Sequence, residues 1–430
     1  MEQAASFELE GTLGACQRWW SKARSSFFWM FSIAFVLRMA LILIGHTYKF
    51  KAYDNDFSFG WEMGRIGRAL AMGRGFSDPF DGRTGPTAWE PPLYPYLVEG
   101  VFRIAGVYTH RSALVLLAVN SVFSALTSIP IFLIARRCFS EKVALWAAWS
   151  WAILPWVMYW STRWVWETSL TALLLAVIFW LSLKLEELED LKAWLVFGVI
   201  WGVAALTNTS LITFFPASGL WACYRRRQNR RPFLRGAALA SVFFAATIAP
   251  WLMRNYRTFG KFIFIRSNLG AELRLGNGPG ADGTWMSWVH PSQNVVEFGR
   301  YQQMGEIAYV AERRREAMAF IHADYRRFAA ISVKRFLYYW TGLPRSSAIP
   351  ALAPFKNSIF LASSVLAIWG LGRALRMHIR GAWLFLWLIL SYPTIYYFVF
   401  PHPRYRHPIE PELAILIVYV ISAAEIRHQG

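Results

Sequence analysis

Phe27-Phe28-Trp29-Met30-Phe31-Ser32-Ile33-Ala34-Phe35-Val36-Leu37-Arg38-Met39-Ala40-Leu41-Ile42-Leu43-Ile44-Gly45-His46 carries a single charged side chain, Arg38. A hydrocarbon core of about 30 Å takes roughly 20 apolar residues of helix to cross, so this stretch reads as a membrane span. A polar segment follows, Tyr53-Asp54-Asn55-Asp56-Phe57-Ser58-Phe59-Gly60-Trp61-Glu62, then Gly73-Arg74-Gly75-Phe76 and Trp89-Glu90-Pro91-Pro92-Leu93-Tyr94-Pro95. A span that gives way to carboxylates, a Gly-x-Gly turn and a proline-aromatic segment points to a built site beyond the helix rather than a connector.

The same rule places further spans at 112–135, 143–160, 168–184, 193–207, 209–223, 237–252, 356–372, 382–400 and 411–425, which makes about ten transmembrane helices. The pair 193–207 and 209–223 is short and divided only by Asn208-Thr209-Ser210, read as a helix break. The expected fold class is therefore an all-α polytopic membrane protein. Composition agrees: of 430 residues 56% are hydrophobic and 17% charged, against roughly 25% charged in a soluble domain.

The formal charge of +19 does not point to nucleic acid, because the basic residues fall in short clusters between apolar runs. Arg18, Lys22 and Arg24 precede the first span, and Arg136-Arg137 with Lys142 follow the second. Arg225-Arg226-Arg227, Arg230-Arg231 and Arg235, then Arg373, Arg376 and Arg380, fall on the same side. The positive-inside rule makes that side and both termini cytoplasmic. It divides the chain into an N-terminal transmembrane module (1–252) with a first outer loop (47–111), an outer segment (253–355) and C-terminal transmembrane helices (356–430). Mostly polar residues precede Phe27 and no convincing small-residue cleavage site follows the first apolar run, so the first span is expected to remain as an anchor. Cys16, Cys138 and Cys223 lie too far apart for a disulfide framework or zinc spacing.

Several expectations follow for the outer face. Segment 91–106 is apolar, but as a span it would invert the Arg136-Arg137 cluster, so it is read as an interfacial helix. Residues 300–340 are expected to form one helix of mixed charge, and the glycines between Gly276 and Gly283 a flexible lid. Arg38 is expected to point into the bundle in a structural role, since a charge at mid-membrane is costly. Arg163 and Glu167 are four apart and are read as an i,i+4 pair. His290, and His322 with Asp324, offer only a weak case for a metal site.

The chemistry rests on two groups. Asp54, Asp56 and Glu62 are candidate general bases at the membrane surface, with Arg65 placed to hold Glu62 from one turn further on. Residue types alone do not rank the three. Pro401-His402-Pro403-Arg404-Tyr405-Arg406-His407-Pro408 is a short outer loop between two spans. There Arg404 and Arg406, with Tyr405 and His407, could grip a lipid phosphate bidentately.

An acidic residue after the first span, an amphipathic helix ending in Gly-x-Gly, the Trp89–Pro95 segment and Arg404-Tyr405-Arg406-His407-Pro408 together resemble the GT-C superfamily. The nearest groups are the lipid A aminoarabinose transferases and the protein O-mannosyltransferases (glycosyltransferase family 39-like). The resemblance implies a GT-C-like bundle in a cell-envelope membrane, the bacterial inner membrane. It also implies an enzyme that moves a sugar from a polyprenyl-phosphate donor to a lipid, glycan or protein acceptor, with a first-loop carboxylate as base. Two departures stand out. Family members often carry adjacent Asp-Glu where this chain has Asp54-Asn55-Asp56 and then Glu62. Aminoarabinose transferases place a lysine where this chain has Glu90, which leaves Glu90 as a substrate-binding candidate and requires another cation for the phosphate. No cofactor is required, although a divalent cation is compatible. The competing reading is a transporter or flippase of lipid-linked sugars, against which stands the lack of internal duplication.

Overall fold

The computed structural model describes residues 25–51, 57–344 and 353–428, with side chains to residue 423. Asp54 and Asp56 lie outside the described residues. Those described form helices joined by turns, and their one extended pairing is an isolated bridge between Ser77 and Pro86.

Each of the ten apolar segments is helical. Among the described residues four helices are long and apolar enough to cross a membrane: Phe27–Ile44, His110–Cys138, Leu234–Phe259 and Ala353–Arg376. Three shorter apolar helices, Thr168–Lys184, Leu191–Thr207 and Ala382–Phe398, coincide with further expected spans. The remaining segments are interrupted or carry charge. Helix Glu141–Ile153 stops at extended Leu154 before Pro155, segment 209–223 begins as the tight turn Thr209–Phe214, and Glu410–His428 has Glu410 and Glu412 in its first turn. The all-helical membrane class therefore stands, while helix length and composition alone do not carry the count to ten.

Local chemistry sets the ends. Thr109 and Ser112 form a reciprocal capping box at the start of His110–Leu126, each hydroxyl accepting the other's backbone N–H at 3.0 Å. Asn208 ends Leu191–Thr207 and accepts from Ser210 N at 2.9 Å, which is the expected break. Arg38 is fully buried in a structural role: it donates to Ser124 Oγ at 3.0 Å and to the carbonyls of Ala34, Ala152 and Trp151 at 2.9, 3.0 and 3.1 Å. Such saturation is what makes a guanidinium tolerable inside a helical bundle.

Three of the basic clusters meet at one pair of carboxylates. Glu186 and Glu187, past the end of helix Thr168–Lys184, bind Arg137 (2.9 Å), Arg225 (2.6 Å) and Arg380 (3.0 and 2.7 Å). Three loops are thereby tied at the side that the charge pattern assigned to the cytoplasm.

The apolar segment 91–106 forms helix Leu93–Ala105, 13 residues long. It packs on Glu62–Ala71, with Gly67 facing Val98, and Tyr94 donates to Asn120 Oδ1 at 3.0 Å. Three expectations need correction. Residues 300–340 form three helices, because Gly305 (φ 73°) and Asp324 interrupt them: Val295–Met304, Glu306–Ala323 and Tyr325–Thr341. The glycine segment is no loose lid at its start. Gly276 ends helix Leu269–Gly276 against Val399 O, and Asn277 is fully buried, donating to Phe398 O at 2.9 Å. Arg163 and Glu167 do not share a helix, since Trp164 is extended between them. Glu167 instead accepts from Asn208 Nδ2 at 3.0 Å, and Arg163 lies over the Tyr159 ring.

Candidate active site

Glu62 opens helix Glu62–Ala71 after Gly60 (φ 80°) and Trp61 (φ 39°). A positive φ is costly for a bulky residue, and the strain at Trp61 is offset by aromatic contacts. Its ring meets Phe57 at 4.4 Å, stacks with His290 at 5.9 Å and approaches Trp285 at 6.1 Å. Gly60 lies against Val165 O, where a Cβ would collide. The turn buries the Glu62 carboxylate at a helix N-terminus, where the dipole favours negative charge.

Two groups from the 253–344 segment face that carboxylate. Ser292 Oγ and His290 Nε2 both lie 3.4 Å from Glu62 Oε1. His290 Nδ1 accepts from Ser292 N at 3.1 Å, which leaves the ring proton on Nε2, toward Glu62. Burial lowers the His290 pKa to about 4, so the ring is neutral at pH 7. Burial also raises the proton affinity of Glu62, opposed by Arg65, the Glu62 backbone N–H, Arg404 and Arg266. Arg65 is fully buried and reaches Ser292 Oγ at 2.9 Å and Asp81 at 3.0 Å.

Beside this lies a second carboxylate pair. Arg266 Nη2 is 3.5 Å from Glu90 Oε1 and 3.6 Å from Glu272 Oε1, and its Nε donates to Trp89 O at 3.2 Å. Burial raises the Glu90 pKa to about 8 against the pull of Arg266, with Glu62, Glu167 and Glu272 adding to the rise. Glu90 is thus largely neutral at pH 7. The loop that carries it hangs on Glu306, a residue the sequence reading passed over. Its buried carboxylate accepts from Ala88 N (2.7 Å), Ser267 Oγ (2.6 Å), Tyr301 OH (3.0 Å) and Thr87 Oγ.

The late Arg-Tyr-Arg-His motif is divided between two environments. The Arg404 guanidinium lies 3.5 Å from the centroid of Trp166 and 5.2 Å from that of Tyr405. Its Nη1 is buried with no hydrogen-bond partner among the described residues. Burial disfavours its charge, but Tyr405 and Glu167 more than restore it. Arg406 turns away, donating to Phe360 O (3.2 Å), Ser364 Oγ (2.8 Å) and Ser363 Oγ (2.5 Å), with Glu410 at 3.6 Å. His407 stacks on Trp151 and meets Glu410 at 3.2 Å.

Of the residues singled out by sequence, Glu62, Arg65, Glu90, Arg404 and Tyr405 therefore share one region, whereas Arg406 and His407 bind the C-terminal helices. The described chain resumes after Asp56 at Phe57, whose ring contacts Trp61, Trp164 and Trp166 at 4.4, 4.7 and 5.3 Å. Among the described residues no group of three or more His, Cys, Asp or Glu is arranged to hold a metal ion. The site thus combines carboxylates with raised proton affinity and an arginine with an open donor, set among tryptophan rings.

Comparison with known proteins gives a family match over part of the chain and a shared fold. The family model for dolichyl-phosphate-mannose-protein mannosyltransferases matches residues 89–253. The oligosaccharyltransferase of Archaeoglobus fulgidus, in its apo form, shares the fold with a TM-score of 0.53 at 12% identity over 92% of this chain and 50% of that one. The same enzyme, AglB, solved with an inhibitory peptide and a dolichol-phosphate, gives 0.53 at 14% identity over 94% and 50%. ArnT from Cupriavidus metallidurans aligns over 92% of this chain and 79% of that one at 15% identity, with a TM-score of 0.34. The chain spans about half the length of the oligosaccharyltransferase it matches. No curated protein sequence matches it.

Proposed function

We propose that the protein is an integral membrane glycosyltransferase that moves a sugar from a polyprenyl-phosphate donor to an acceptor on the face bearing Glu62. The observation that carries this reading is Arg404. A cationic side chain sits on an indole with one buried N–H donor unsatisfied, beside a carboxylate of raised proton affinity. A phosphate oxygen would satisfy that donor.

In the proposed reaction a loop carboxylate, Glu62, Asp54 or Asp56, takes the proton of the acceptor. The acceptor's lone pair forms a bond to the anomeric carbon while the bond from that carbon to the phosphate oxygen breaks. The electron pair leaves with polyprenyl phosphate, and the anomeric centre inverts. Arg404 stabilises the charge that grows on the departing phosphate. Glu62 fits the base because burial raises its proton affinity, and neutral His290 offers its Nε2–H to hold the carboxylate. The dolichol-phosphate bound to AglB is consistent with a lipid phosphate on this fold.

Purified protein incubated with radiolabelled polyprenyl-phosphate sugars tests the proposal. Release of free polyprenyl phosphate with transfer of label is expected. Movement of intact donor across vesicles without its cleavage would instead establish the transporter.

A further inference from the structure

Helix Thr168–Lys184 begins beside Glu167 and ends 17 residues later, roughly 25 Å away at 1.5 Å per residue. At that far end lies a cavity of about 250 Å³, lined by Leu133, Arg136, Arg137, Trp180 and Lys184. It occupies the groove between the last turns of helices Ser128–Cys138 and Thr168–Lys184, on the face tied by Glu186 and Glu187.

Its cations are unequally committed. Arg137 donates to Leu183 O and pairs with Glu187, both at 2.9 Å. Arg136 lies over the Phe132 ring at 5.2 Å, and neither it nor Lys184 has a carboxylate within ion-pair distance among the described residues. Glu187 is shared between Arg137 and Arg380, and the C-termini of the two helices each contribute roughly half a negative charge. At least about one positive charge is left over. Trp180 stands one turn inward from Lys184, the arrangement of an interfacial aromatic above a basic anchor, and Leu133 supplies an apolar wall.

We infer that this groove binds the phosphodiester headgroup of an anionic membrane phospholipid, at the face opposite Glu62. The surplus of about one charge suits a monoanionic phosphodiester. The cavity, room for roughly eight waters at ~30 Å³ each, accommodates the phosphate with its glycerol while the acyl chains pass Leu133 and Trp180. Arg136 and Lys184 hold the phosphate oxygens, and Arg137, fixed by Glu187, forms the floor. This site does not depend on the transfer reaction proposed above.

The test is native mass spectrometry of the full chain, delipidated in non-ionic detergent and titrated with phosphatidylglycerol, phosphatidylcholine or glycerol 3-phosphate. The expected result is preferential retention of phosphatidylglycerol, weakened about five-fold by Arg136→Gln or Lys184→Gln and further by both. Arg235→Gln, on the same face, should leave it unchanged. Neither substituted side chain carries a structural ion pair, and Arg136→Lys should retain binding if folding of the glutamine variants suffers. Equal retention of phosphatidylcholine, or unchanged phosphatidylglycerol binding in the double variant, overturns the inference. So does glycerol 3-phosphate binding as tightly as the lipid, which would assign the groove to soluble phosphate.

Discussion

Glu306→Ala should loosen the outer site without touching any residue that faces a substrate. The carboxylate is buried and accepts from Thr87 Oγ, Ala88 N, Ser267 Oγ and Tyr301 OH. Hydrogen bonds to a charged group contribute about 1.5–3 kcal/mol each, but the three hydroxyls can rotate to other acceptors, whereas the Ala88 amide cannot. The unavoidable loss is therefore one stranded amide plus a cavity, about 3–5 kcal/mol in all. Glu306→Gln keeps the volume and one oxygen for Ala88 N, while its NH2 can donate to Thr87 Oγ or Tyr301 OH once those hydroxyls turn. A cost of about 1–2 kcal/mol is expected there. Thermal unfolding in detergent gives the order, and hydrogen exchange at the Ala88 amide gives the location. Equal destabilisation by Ala and Gln, or unchanged protection of Ala88 in the alanine variant, would refute the assignment of Glu306 as the anchor of this loop.

The two arginines of the late motif should separate by assay. Arg404→Ala is expected to weaken binding of a polyprenyl phosphate by about ten-fold or more with little change in melting temperature, and Arg404→Lys to restore it only in part. Arg406→Ala should lower the melting temperature instead, by removing the donor that Phe360 O, Ser364 Oγ and Ser363 Oγ accept from, and equal binding defects in both would contradict the geometry. Glu90, whose pKa is raised to about 8, favours its neutral form in the folded state. Its contribution to stability is therefore full below about 4.5 and lost as pH rises through about 8, up to roughly 5 kcal/mol in total. Melting temperatures from pH 5 to 8 should fall for the wild type and flatten for Glu90→Gln; parallel curves would show that Glu90 is not the titrating group. Gly276→Ala would drive a Cβ into Val399 O and should cost more than about 2 kcal/mol, read as loss of folded yield or melting temperature. Among the base candidates, Glu62→Gln is expected to lower turnover about 10²-fold while sparing donor binding. Asp54→Asn and Asp56→Asn assayed beside it would identify the base, and full activity in all three would remove the loop from catalysis.

What the sequence made legible was what local chemistry controls. Apolar runs located the helices, a lone Arg38 inside one implied a buried network, Asn208-Thr209-Ser210 marked a break, and Arg137, Arg225 and Arg380, from three of the basic clusters, meet at Glu186 and Glu187. The site was legible only on its first-loop side. Glu62, Arg65 and Glu90 announce themselves by charge in an apolar context, but Ser292, which faces Glu62, is 230 positions away, and no periodicity links residues at that separation. His290 looked like a poor metal ligand because its role depends on the third dimension. The Arg163–Glu167 spacing failed for the opposite reason: it assumed one continuous helix where Trp164 turns the chain. The motif Arg404-Tyr405-Arg406-His407 was read as a single patch because adjacent residues look alike in one dimension, whereas one turn of helix points them in different directions.

That turn, Pro403–Arg406, is only four residues long and begins with proline, whose ring fixes its φ. One end is Arg404, resting on the Trp166 indole with a donor to spare; the other is Arg406, bolted to Phe360, Ser363 and Ser364 of helix Ala353–Arg376. Tyr405 between them stacks on Tyr396, which stacks in turn on Tyr339. A single turn therefore supplies the candidate site with its arginine and a long apolar helix with its clamp, so a substitution that disturbs this backbone would be read at both places.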